Sequence, residues 1–231
     1  MRPLSPQARR PPLAGLYVLT PELADTALLV ARVAAAITGG AAAVQYRRKQ
    51  GGAVLRHEQA LALRALCAAR DATFIINDDV DLAADVGADG VHLGRDDGEI
   101  GAARQRLFPG AIIGASCYDS LDTAQRALAA GADYIAFGSF YPSRVKPDAV
   151  RAEPALLTRA KARWSVPVVA IGGITATRAP ALTAAGADAL AVISAVFDAA
   201  DVAAAASAFR GAFARRAAAP QRDGNELHGG P

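Results

Sequence analysis

Three stretches of the chain share one pattern: Gly87-Ala-Asp-Gly-Val-His92, Gly131-Ala-Asp-Tyr-Ile-Ala136 and Gly186-Ala-Asp-Ala-Leu-Ala191. In each stretch the glycine follows an alanine-rich segment of helical composition, and a short apolar run follows the aspartate. Glycine is common just beyond a helix C-terminus, because it adopts the left-handed conformation there without strain. The pattern therefore predicts a repeated unit in which a helix stops at glycine and a buried strand begins after aspartate.

The spacing of the three stretches indicates how many strands the chain contains. Gly87 and Gly131 are 44 residues apart, and Gly131 and Gly186 are 55 apart. Each interval is about two strand-helix units long, so further strands are expected between the marked ones. Apolar runs predict eight strands in all, near residues 15–20, 42–47, 73–77, 90–93, 112–116, 134–138, 168–171 and 189–192. Helical patterns separate them, for example at 121–129 and 201–213.

Strands that are apolar throughout and alternate with helices are typical of a parallel sheet covered on both faces. Eight alternations predict the α/β class and a single (β/α)8 TIM barrel, with an open doubly wound sheet as the alternative. We assign the barrel to residues 14–215. The flanking segments 1–13 and 216–231 are rich in proline, arginine and glycine, and are predicted to be disordered tails.

Composition excludes several classes of function. Of the 231 residues 52% are hydrophobic, yet no uninterrupted apolar run of about 18 residues is present, so no membrane association is expected. The two cysteines and the lack of an apolar N-terminal segment predict a cytoplasmic protein. The formal charge of +3 lies mainly in the predicted tails and aromatic residues make up 6%. A nucleic-acid partner is therefore not expected.

Polar residues follow most of the predicted strands, at the end where TIM barrels carry their catalytic groups. Lysine and asparagine are scarce, with three and two residues in the chain, yet Lys49, Lys146 and Asn77 all lie in these segments. Such placement is poorly explained by solvated loops alone. The segments are Gln45 to Lys49, Asn77 to Asp79, Arg95 to Asp97, Ser116, Gly138 to Lys146, Gly172-Gly173 and Ile193-Ser194.

Two of these segments predict a phosphate site. Gly172-Gly173 follows the seventh predicted strand and Ile193-Ser194 follows the eighth. Backbone N–H groups at these positions of a barrel approach a bound anion closely. A tight turn that requires positive φ is the alternative reason for the glycines, and both explanations can hold together.

Two aspartates after neighbouring strands predict a magnesium site. Asp78 and Asp97 offer the hard oxygen ligands that Mg²⁺ prefers, usually alongside substrate phosphates. Helix capping is the alternative, and we favour it for Asp79 and Asp96. The cations Arg47, Lys49 and Lys146 are too many for one monophosphate. Together with Mg²⁺ they fit a diphosphate better.

His92 and Cys117 are not expected to act chemically. His92 lies between apolar neighbours inside a predicted strand, as a packed and hydrogen-bonded interior histidine does. Cys117 has no histidine near it in the sequence that would activate it as a nucleophile.

In order along the chain, these segments resemble the thiamine-phosphate synthase family, from Leu16 to Phe197. The resemblance implies transfer of a hydroxymethylpyrimidine unit from its diphosphate to the nitrogen of a thiazole phosphate, with release of pyrophosphate. It implies a dissociative reaction in which pyrophosphate leaves first. The resembling segments are Val44 to Lys49, Asn77-Asp78, His92 to Asp97, Gly114 to Ser116, Gly131 to Lys146 and Ile171 to Ile174.

The resemblance also implies roles for individual residues. Asp78 and Asp97 would bind Mg²⁺. The pyrimidine diphosphate would contact Gln45, Arg47, Lys49, Asn77, Ser116 and Lys146, of which Lys146, Arg47, Lys49 and Ser116 would be catalytic. The thiazole phosphate would contact Ser143, Arg144, Val145, Gly173, Ile193 and Ser194. The chain departs from the family pattern at Arg48, Arg95, Tyr118 and Val145.

Two rival functions stay open at this stage. A thiazole tautomerase, which is a related barrel, would bind a thiazole phosphate without condensing it and would not need the diphosphate and Mg²⁺ residues. A non-catalytic barrel that binds a phosphorylated ligand would release no pyrophosphate. The sequence also leaves the oligomeric state open, and a homo-oligomer is one of the alternatives.

Removing both predicted tails tests the domain boundaries. We expect a chain without residues 1–12 and 218–231 to keep nearly all its stability and turnover, because neither segment has the apolar periodicity needed to pack on the barrel. Melting temperature and turnover of the two chains provide the comparison. A large fall in either would contradict the assignment of disorder.

Overall fold

The computed structural model describes residues 13–94, 98–142 and 150–214. Eight parallel strands close into one barrel in chain order, which confirms the predicted (β/α)8 fold. The predicted tails, apart from Leu13 at their boundary, lie outside the described residues. Leu13 itself is 5% exposed and packs in the barrel interior. The strands are β1 Gly15–Leu19, β2 Ala41–Tyr46, β3 Thr73–Asn77, β4 Gly90–Leu93, β5 Ile112–Tyr118, β6 Tyr134–Phe137, β7 Val168–Ile171 and β8 Ala189–Val192.

Helices alternate with the strands and form the outer layer of the barrel. Within the described ranges they are α1 Thr26–Gly39, α2 Ala53–Ala69, α3 Val80–Val86, α4 Ile100–Arg106, α5 Leu121–Ala129, α6 Ala155–Arg163, α7 Ala179–Ala184, α8 Ser194–Phe197, α9 Val202–Ser207 and α10 Arg210–Ala214. No helix in this part of the chain combines the length and the apolar character needed to cross a membrane.

One predicted helix is wrong in its length. The segment 201–213 forms two helices, α9 and α10, instead of one. The break follows Ser207, whose hydroxyl donates to the Ala204 carbonyl oxygen at 2.9 Å. The Phe209 N–H then donates to the carbonyl of Ala206, three residues back, at 3.1 Å. Local bonds of this kind compete with the regular helical ladder and interrupt it.

The strand side chains alternate between two cores, as the pleat of a strand requires. Outward-facing side chains such as Val18, Phe74 and Ile135 pack beneath the helices in the larger core. Inward-facing side chains fill the barrel, where Tyr17, Ile75 and Tyr134 belong to the smaller core. The barrel interior is therefore a packed core that includes two tyrosines.

Each Gly-Ala-Asp stretch forms the helix stop that the sequence predicts. The three glycines have φ angles of +63°, +100° and +118°. The alanine that follows each glycine donates its N–H to a carbonyl five residues back, at 2.9 to 3.0 Å. This is the Schellman arrangement, which satisfies carbonyls at the end of a helix.

The aspartates of the same stretches bind neighbouring strands together at the amino-terminal rim of the barrel. Each carboxylate accepts a backbone N–H from the strand before its own: Asp89 from Phe74 at 2.8 Å, Asp133 from Ile113 at 2.8 Å and Asp188 from Val168 at 2.7 Å. Each also pairs with a basic side chain of an outer helix: Arg64 with Asp89, Arg104 with Asp133 and Lys161 with Asp188. We call these three groups the rim clamps.

Lys161 is the sequence's one lysine outside the candidate site segments, and its place in a clamp gives it a structural function. Its ammonium lies 3.0 Å from Asp188 Oδ2 and 3.3 Å from the Val166 carbonyl oxygen. Replacing Lys161 is therefore expected to cost stability even though the residue is remote from the strand ends that carry the candidate site.

Burial should decide how much each clamp contributes to stability. The Asp89 side chain is 1% exposed and its partner Arg64 is 9% exposed, whereas the Asp133 side chain is 42% exposed. We expect Asp89→Asn to lower the free energy of unfolding by about 3 kcal/mol, because it leaves a buried charge uncompensated. Asp133→Asn should lower it by about 1 kcal/mol or less. Urea unfolding measures both, and equal losses would contradict this explanation.

Candidate active site

The predicted site residues within the described ranges lie in the last residues of five strands or just after them. Because all strands are parallel, these ends form one rim of the barrel. The residues are Gln45, Arg47 and Lys49 at β2, Asn77 and Asp78 at β3, Ser116 at β5, Gly173 after β7, and Ile193 and Ser194 after β8. Five further predicted residues lie outside the described ranges: Asp97, Ser143, Arg144, Val145 and Lys146.

The loop that follows β1 holds the backbone of the cationic segment after β2. The Arg47 N–H donates to Thr20 Oγ1 at 2.9 Å, and the same hydroxyl donates to the Arg47 carbonyl oxygen at 3.3 Å. The Lys49 N–H donates to Glu22 Oε1 at 2.7 Å. Thr20 and Glu22 are functional supports that the sequence analysis missed, since nothing in their spacing shows which backbone groups they meet.

The cations of this segment have different surroundings. Arg48 Nη1 donates to the Leu23 carbonyl oxygen at 2.7 Å, so this departure from the family pattern ties two loops together. Arg47 is half-buried and Lys49 is exposed. Among the residues that the structure describes, neither Arg47 nor Lys49 pairs with a carboxylate. Their charges are therefore available to an anionic ligand at the rim.

A hydrogen-bonded row of side chains runs through the barrel interior. Gln45 Nε2 donates to the Tyr17 hydroxyl at 2.8 Å, and the Tyr17 and Tyr134 hydroxyl oxygens are 3.1 Å apart. His92 Nδ1 lies 2.8 Å from the Tyr134 oxygen, and His92 Nε2 lies 2.9 Å from Ser116 Oγ. We call these five residues the interior network. It confirms that His92 is a packed interior residue, at 9% exposure.

The interior network has neutral tyrosines and one unmet acceptor. Burial raises the pKa of Tyr17 and Tyr134 far above the ordinary phenol value, so both keep their protons at any physiological pH. Gln45 is 2% exposed, and its Oε1 has no hydrogen-bond partner in the described part of the chain. A buried acceptor without a partner is costly. A ligand N–H at this point would satisfy it.

The two aspartates after β3 have different roles: Asp79 caps a helix, and Asp78 remains the candidate metal ligand. Asp79 caps α3, because its Oδ1 accepts the Leu82 N–H at 2.9 Å, as the sequence analysis favours. Asp78 precedes it with φ +66°, half-buried, and donates its N–H to the His92 carbonyl oxygen at 2.9 Å. Within 13–94, 98–142 and 150–214 no three acidic, histidine or cysteine residues cluster as metal ligands. Asp97 lies outside those ranges.

The glycines after β7 contact the start of the loop that follows β6. Gly172 and Gly173 both have positive φ, at +103° and +61°. The Tyr141 N–H donates to the Gly172 carbonyl oxygen at 3.0 Å. A Cβ atom on Gly173 would lie 2.3 Å from the Pro142 carbonyl oxygen. The positive φ angles confirm the tight-turn explanation of the two glycines, and the anion site stays a prediction.

The eighth strand leads into a short helix at the same rim. Ile193 caps α8, and its carbonyl oxygen accepts the Phe197 N–H at 2.9 Å. The first N–H groups of a helix have no acceptor within the helix, so those of Ser194 and Ala195 can serve an anion. Ile193-Ser194 and Gly172-Gly173 thus follow two neighbouring strands, β8 and β7, and the phosphate site there stays a prediction.

Cys117 lies on β5 but takes no part in this rim chemistry. Its thiol is buried and donates to the Ala115 carbonyl oxygen at 3.5 Å. Burial raises the pKa of the Cys117 thiol to about 12, so it stays protonated and is a poor nucleophile.

Comparison with known proteins gives one consistent answer. A sequence profile of the family described as thiamine monophosphate synthase matches residues 16–196. The chain is 58% identical over 200 residues to a thiamine-phosphate synthase of Thiobacillus denitrificans, covering 87% of this chain and 95% of that protein. It is 55% identical over 206 residues to a thiamine-phosphate synthase of Chromobacterium violaceum, covering 89% and 99% respectively.

A solved structure agrees with the sequence relatives. Thiamine phosphate pyrophosphorylase from Pyrococcus furiosus superposes on the barrel with a TM-score of 0.77 at 39% sequence identity. The match covers 86% of this chain and 95% of that one. The similarity therefore extends over the whole barrel.

Substituting one glycine tests the anion site at the rim. We expect Gly173→Ala to weaken the binding of inorganic phosphate at least about tenfold, which corresponds to about 1.4 kcal/mol. The added Cβ would lie 2.3 Å from the Pro142 carbonyl oxygen, so the turn must shift and the Gly173 N–H must move with it. Calorimetric titration with phosphate measures the effect.

Gly131→Ala is the matched control for that substitution. Gly131 also has positive φ, at +100°, but a Cβ there meets nothing within 4 Å. Both variants should lose stability through backbone strain, of about 1–3 kcal/mol. Only Gly173→Ala should lose phosphate affinity, and parallel losses in both would show that no anion site lies at Gly173.

Proposed function

The chain belongs to the thiamine monophosphate synthase family and is an enzyme of the transferase class, and we propose that it transfers a hydroxymethylpyrimidine unit. The donor is the pyrimidine diphosphate, the acceptor is the ring nitrogen of a thiazole phosphate, and the products are thiamine phosphate and pyrophosphate. The observation that carries this proposal is the unmet acceptor of Gln45 in the barrel interior, together with Arg47 and Lys49 after β2, which pair with no carboxylate among the described residues.

Gln45 suits the amine of the pyrimidine. The ring has flat faces that pack against apolar side chains, while its nitrogen atoms require a few placed polar groups. Its amine carries N–H donors, and Gln45 Oε1 is a buried acceptor that lacks a donor among the described residues. Ser116, at the other end of the interior network, is half-buried and presents a second polar group.

The rim cations suit the diphosphate. Arg47 and Lys49 have backbones fixed by Thr20 and Glu22, so their side chains start from defined positions. Fixed positive groups stabilise a leaving group as its negative charge grows, without reorganisation at the moment of reaction. We assign Lys146 the same task and Asn77 a contact with the diphosphate.

The reaction we propose is dissociative. The bond between the pyrimidine methylene carbon and the diphosphate oxygen breaks, and the electron pair leaves with pyrophosphate. The electron-rich aminopyrimidine stabilises the methylene cation, and the thiazole nitrogen then supplies the electron pair of the new carbon–nitrogen bond. The protein's residues contribute charge neutralisation, positioning and exclusion of water, and no side chain needs to act as a nucleophile.

Asp78 and Asp97 are the residues that we propose to hold Mg²⁺. Asp78 fits this role chemically, since a half-buried carboxylate beside Asn77 offers hard oxygen donors at the rim. When bound, Mg²⁺ would neutralise charge on the diphosphate and favour its departure. The side chains of Asp78 and Asp97 would hold the metal at the rim, and Arg47 and Lys49 would bind the diphosphate directly.

The thiazole phosphate is assigned to the neighbouring part of the rim. Gly173, Ile193 and Ser194 supply backbone N–H groups after β7 and β8, and the loop residues Ser143, Arg144 and Val145 would complete the contact. In this proposal the phosphate lies at the turn after β7 and the start of α8, where barrels commonly bind one. The second substrate would then approach the methylene carbon from the phosphate side of the rim.

Lys146→Ala tests the proposal most sharply among single substitutions. Because the benefit of this ammonium is realised mainly as the leaving group departs, kcat should fall more than KM rises. The expected loss in kcat is about 10²–10³. Thiamine phosphate formation with saturating thiazole phosphate and Mg²⁺ measures both constants.

Two controls interpret that result. Arg163→Ala removes an exposed cation at the end of α6 and should leave kcat and stability unchanged. Lys161→Ala should lower the melting temperature, through loss of the Asp188 pair, and leave kcat unchanged. If Lys146→Ala turns over like the parent, the diphosphate does not bind where we place it.

A further inference from the structure

The interior network has a direction that its hydrogen bonds determine. An amide nitrogen can only donate, so Gln45 Nε2 gives its proton to the Tyr17 oxygen at 2.8 Å. Tyr17 is 1% exposed, and the other hydrogen-bond partner of its hydroxyl in the described chain is Tyr134, at 3.1 Å. Tyr17 must therefore donate to Tyr134, since otherwise a buried hydroxyl proton would have no acceptor.

The same reasoning assigns the donor and the acceptor in each remaining bond as far as Ser116. Tyr134 accepts from Tyr17, so its own proton goes to His92 Nδ1 at 2.8 Å. A neutral imidazole has one donor and one acceptor nitrogen, so His92 Nε2 carries the proton and donates to Ser116 Oγ at 2.9 Å. Ser116 thus accepts from the network and keeps its own hydroxyl proton for a ligand.

A 180° rotation of the Gln45 side-chain amide reverses the donor and acceptor of every one of these bonds. With Oε1 towards Tyr17, the glutamine accepts, Tyr17 accepts from Tyr134, and Tyr134 accepts from His92. His92 Nε2 then accepts the hydroxyl proton of Ser116. The two ends change together: one state offers an acceptor at Gln45 and a donor at Ser116, and the other offers a donor at Gln45 and a serine whose proton is already committed.

We propose that Tyr17, Tyr134 and His92 are positioning residues that couple Gln45 to Ser116 and thereby select an aminopyrimidine over a pyrimidine with oxygen in place of the amine. This inference rests on the proposed function. An amine donates to Gln45 Oε1 and is served by the state in which Ser116 donates. An oxygen at the same position requires the reversed state, which withdraws the Ser116 proton from the substrate.

Coupling makes the discrimination larger than one hydrogen bond would give. A glutamine outside such a network rotates its side-chain amide by 180° at little cost. It can then bind either an amine, through its oxygen, or a carbonyl, through its nitrogen. Here the turn rearranges three buried bonds and removes a donor at the far end of the network. Sites in which buried polar groups would be left unpaired by the wrong substrate reject it strongly.

Tyr17→Phe uncouples Gln45 from the rest of the network. Without the Tyr17 oxygen the amide turns freely, while Tyr134, His92 and Ser116 keep their bonds. We expect the parent to prefer the aminopyrimidine diphosphate over its oxo analogue by about 100-fold or more in kcat/KM. Tyr17→Phe should reduce this preference at least tenfold and leave KM for the thiazole phosphate within about twofold of the parent.

Tyr46→Phe is the matched control. Tyr46 is also buried, at 3% exposure, and its hydroxyl donates to a glutamine side chain, Gln59 Oε1, at 2.9 Å. It lies outside the interior network, so the variant should keep the parent preference. A preference in Tyr17→Phe equal to that of the parent would overturn the inference. A parent that makes no thiamine phosphate would instead overturn the proposed function.

A spectroscopic measurement tests the direction without altering the network. In the complex with the aminopyrimidine diphosphate alone, nitrogen NMR of the imidazole should find the proton of His92 on Nε2. Only three histidines are present, and His57→Gln and His228→Gln variants assign the signals. A proton on Nδ1 of His92 in that complex would overturn the inference even if every substitution destabilised the fold.

Discussion

The barrel depends on one interaction repeated three times: an aspartate carboxylate that accepts the N–H of the neighbouring strand and pairs with a cation from an outer helix. Each pair of strands so joined has its register fixed at the amino-terminal rim. A closed barrel transmits that register to the opposite rim, because the shear of a closed sheet is common to all its strands. The clamps therefore determine how the carboxyl-terminal ends meet.

The amino-terminal rim contributes to stability, whereas the carboxyl-terminal rim carries the candidate site. At the clamped rim each clamp aspartate is satisfied by backbone and basic side chains of the protein, as for Asp188 with Val168 and Lys161. At the other rim the cations of Arg47 and Lys49 have no carboxylate partner in the described chain, and Gln45 Oε1 has no donor there. Such unmet groups cost stability, and a substrate that satisfies them recovers this cost as binding and orientation.

Local sequence chemistry could predict the fold and the rim. The Gly-Ala-Asp motif alone predicts where a helix ends and the next strand begins. Four strands, β3, β4, β7 and β8, have the predicted bounds. The interior network could not be predicted, since Tyr17 and Tyr134 are 117 residues apart and meet only because the barrel closes. The role of Thr20 at Arg47, and of Lys161 at Asp188, depends in the same way on three-dimensional neighbours.

The central claim is that the unmet groups of this rim receive a pyrimidine diphosphate and transfer its pyrimidine to a thiazole phosphate. Its most direct test is the amount of pyrophosphate released per thiamine phosphate formed, followed with both substrates and with each alone in the presence of Mg²⁺. We predict equimolar products only when both substrates are present. A thiazole phosphate altered without consumption of the pyrimidine diphosphate, or binding of both with no pyrophosphate, would contradict the account.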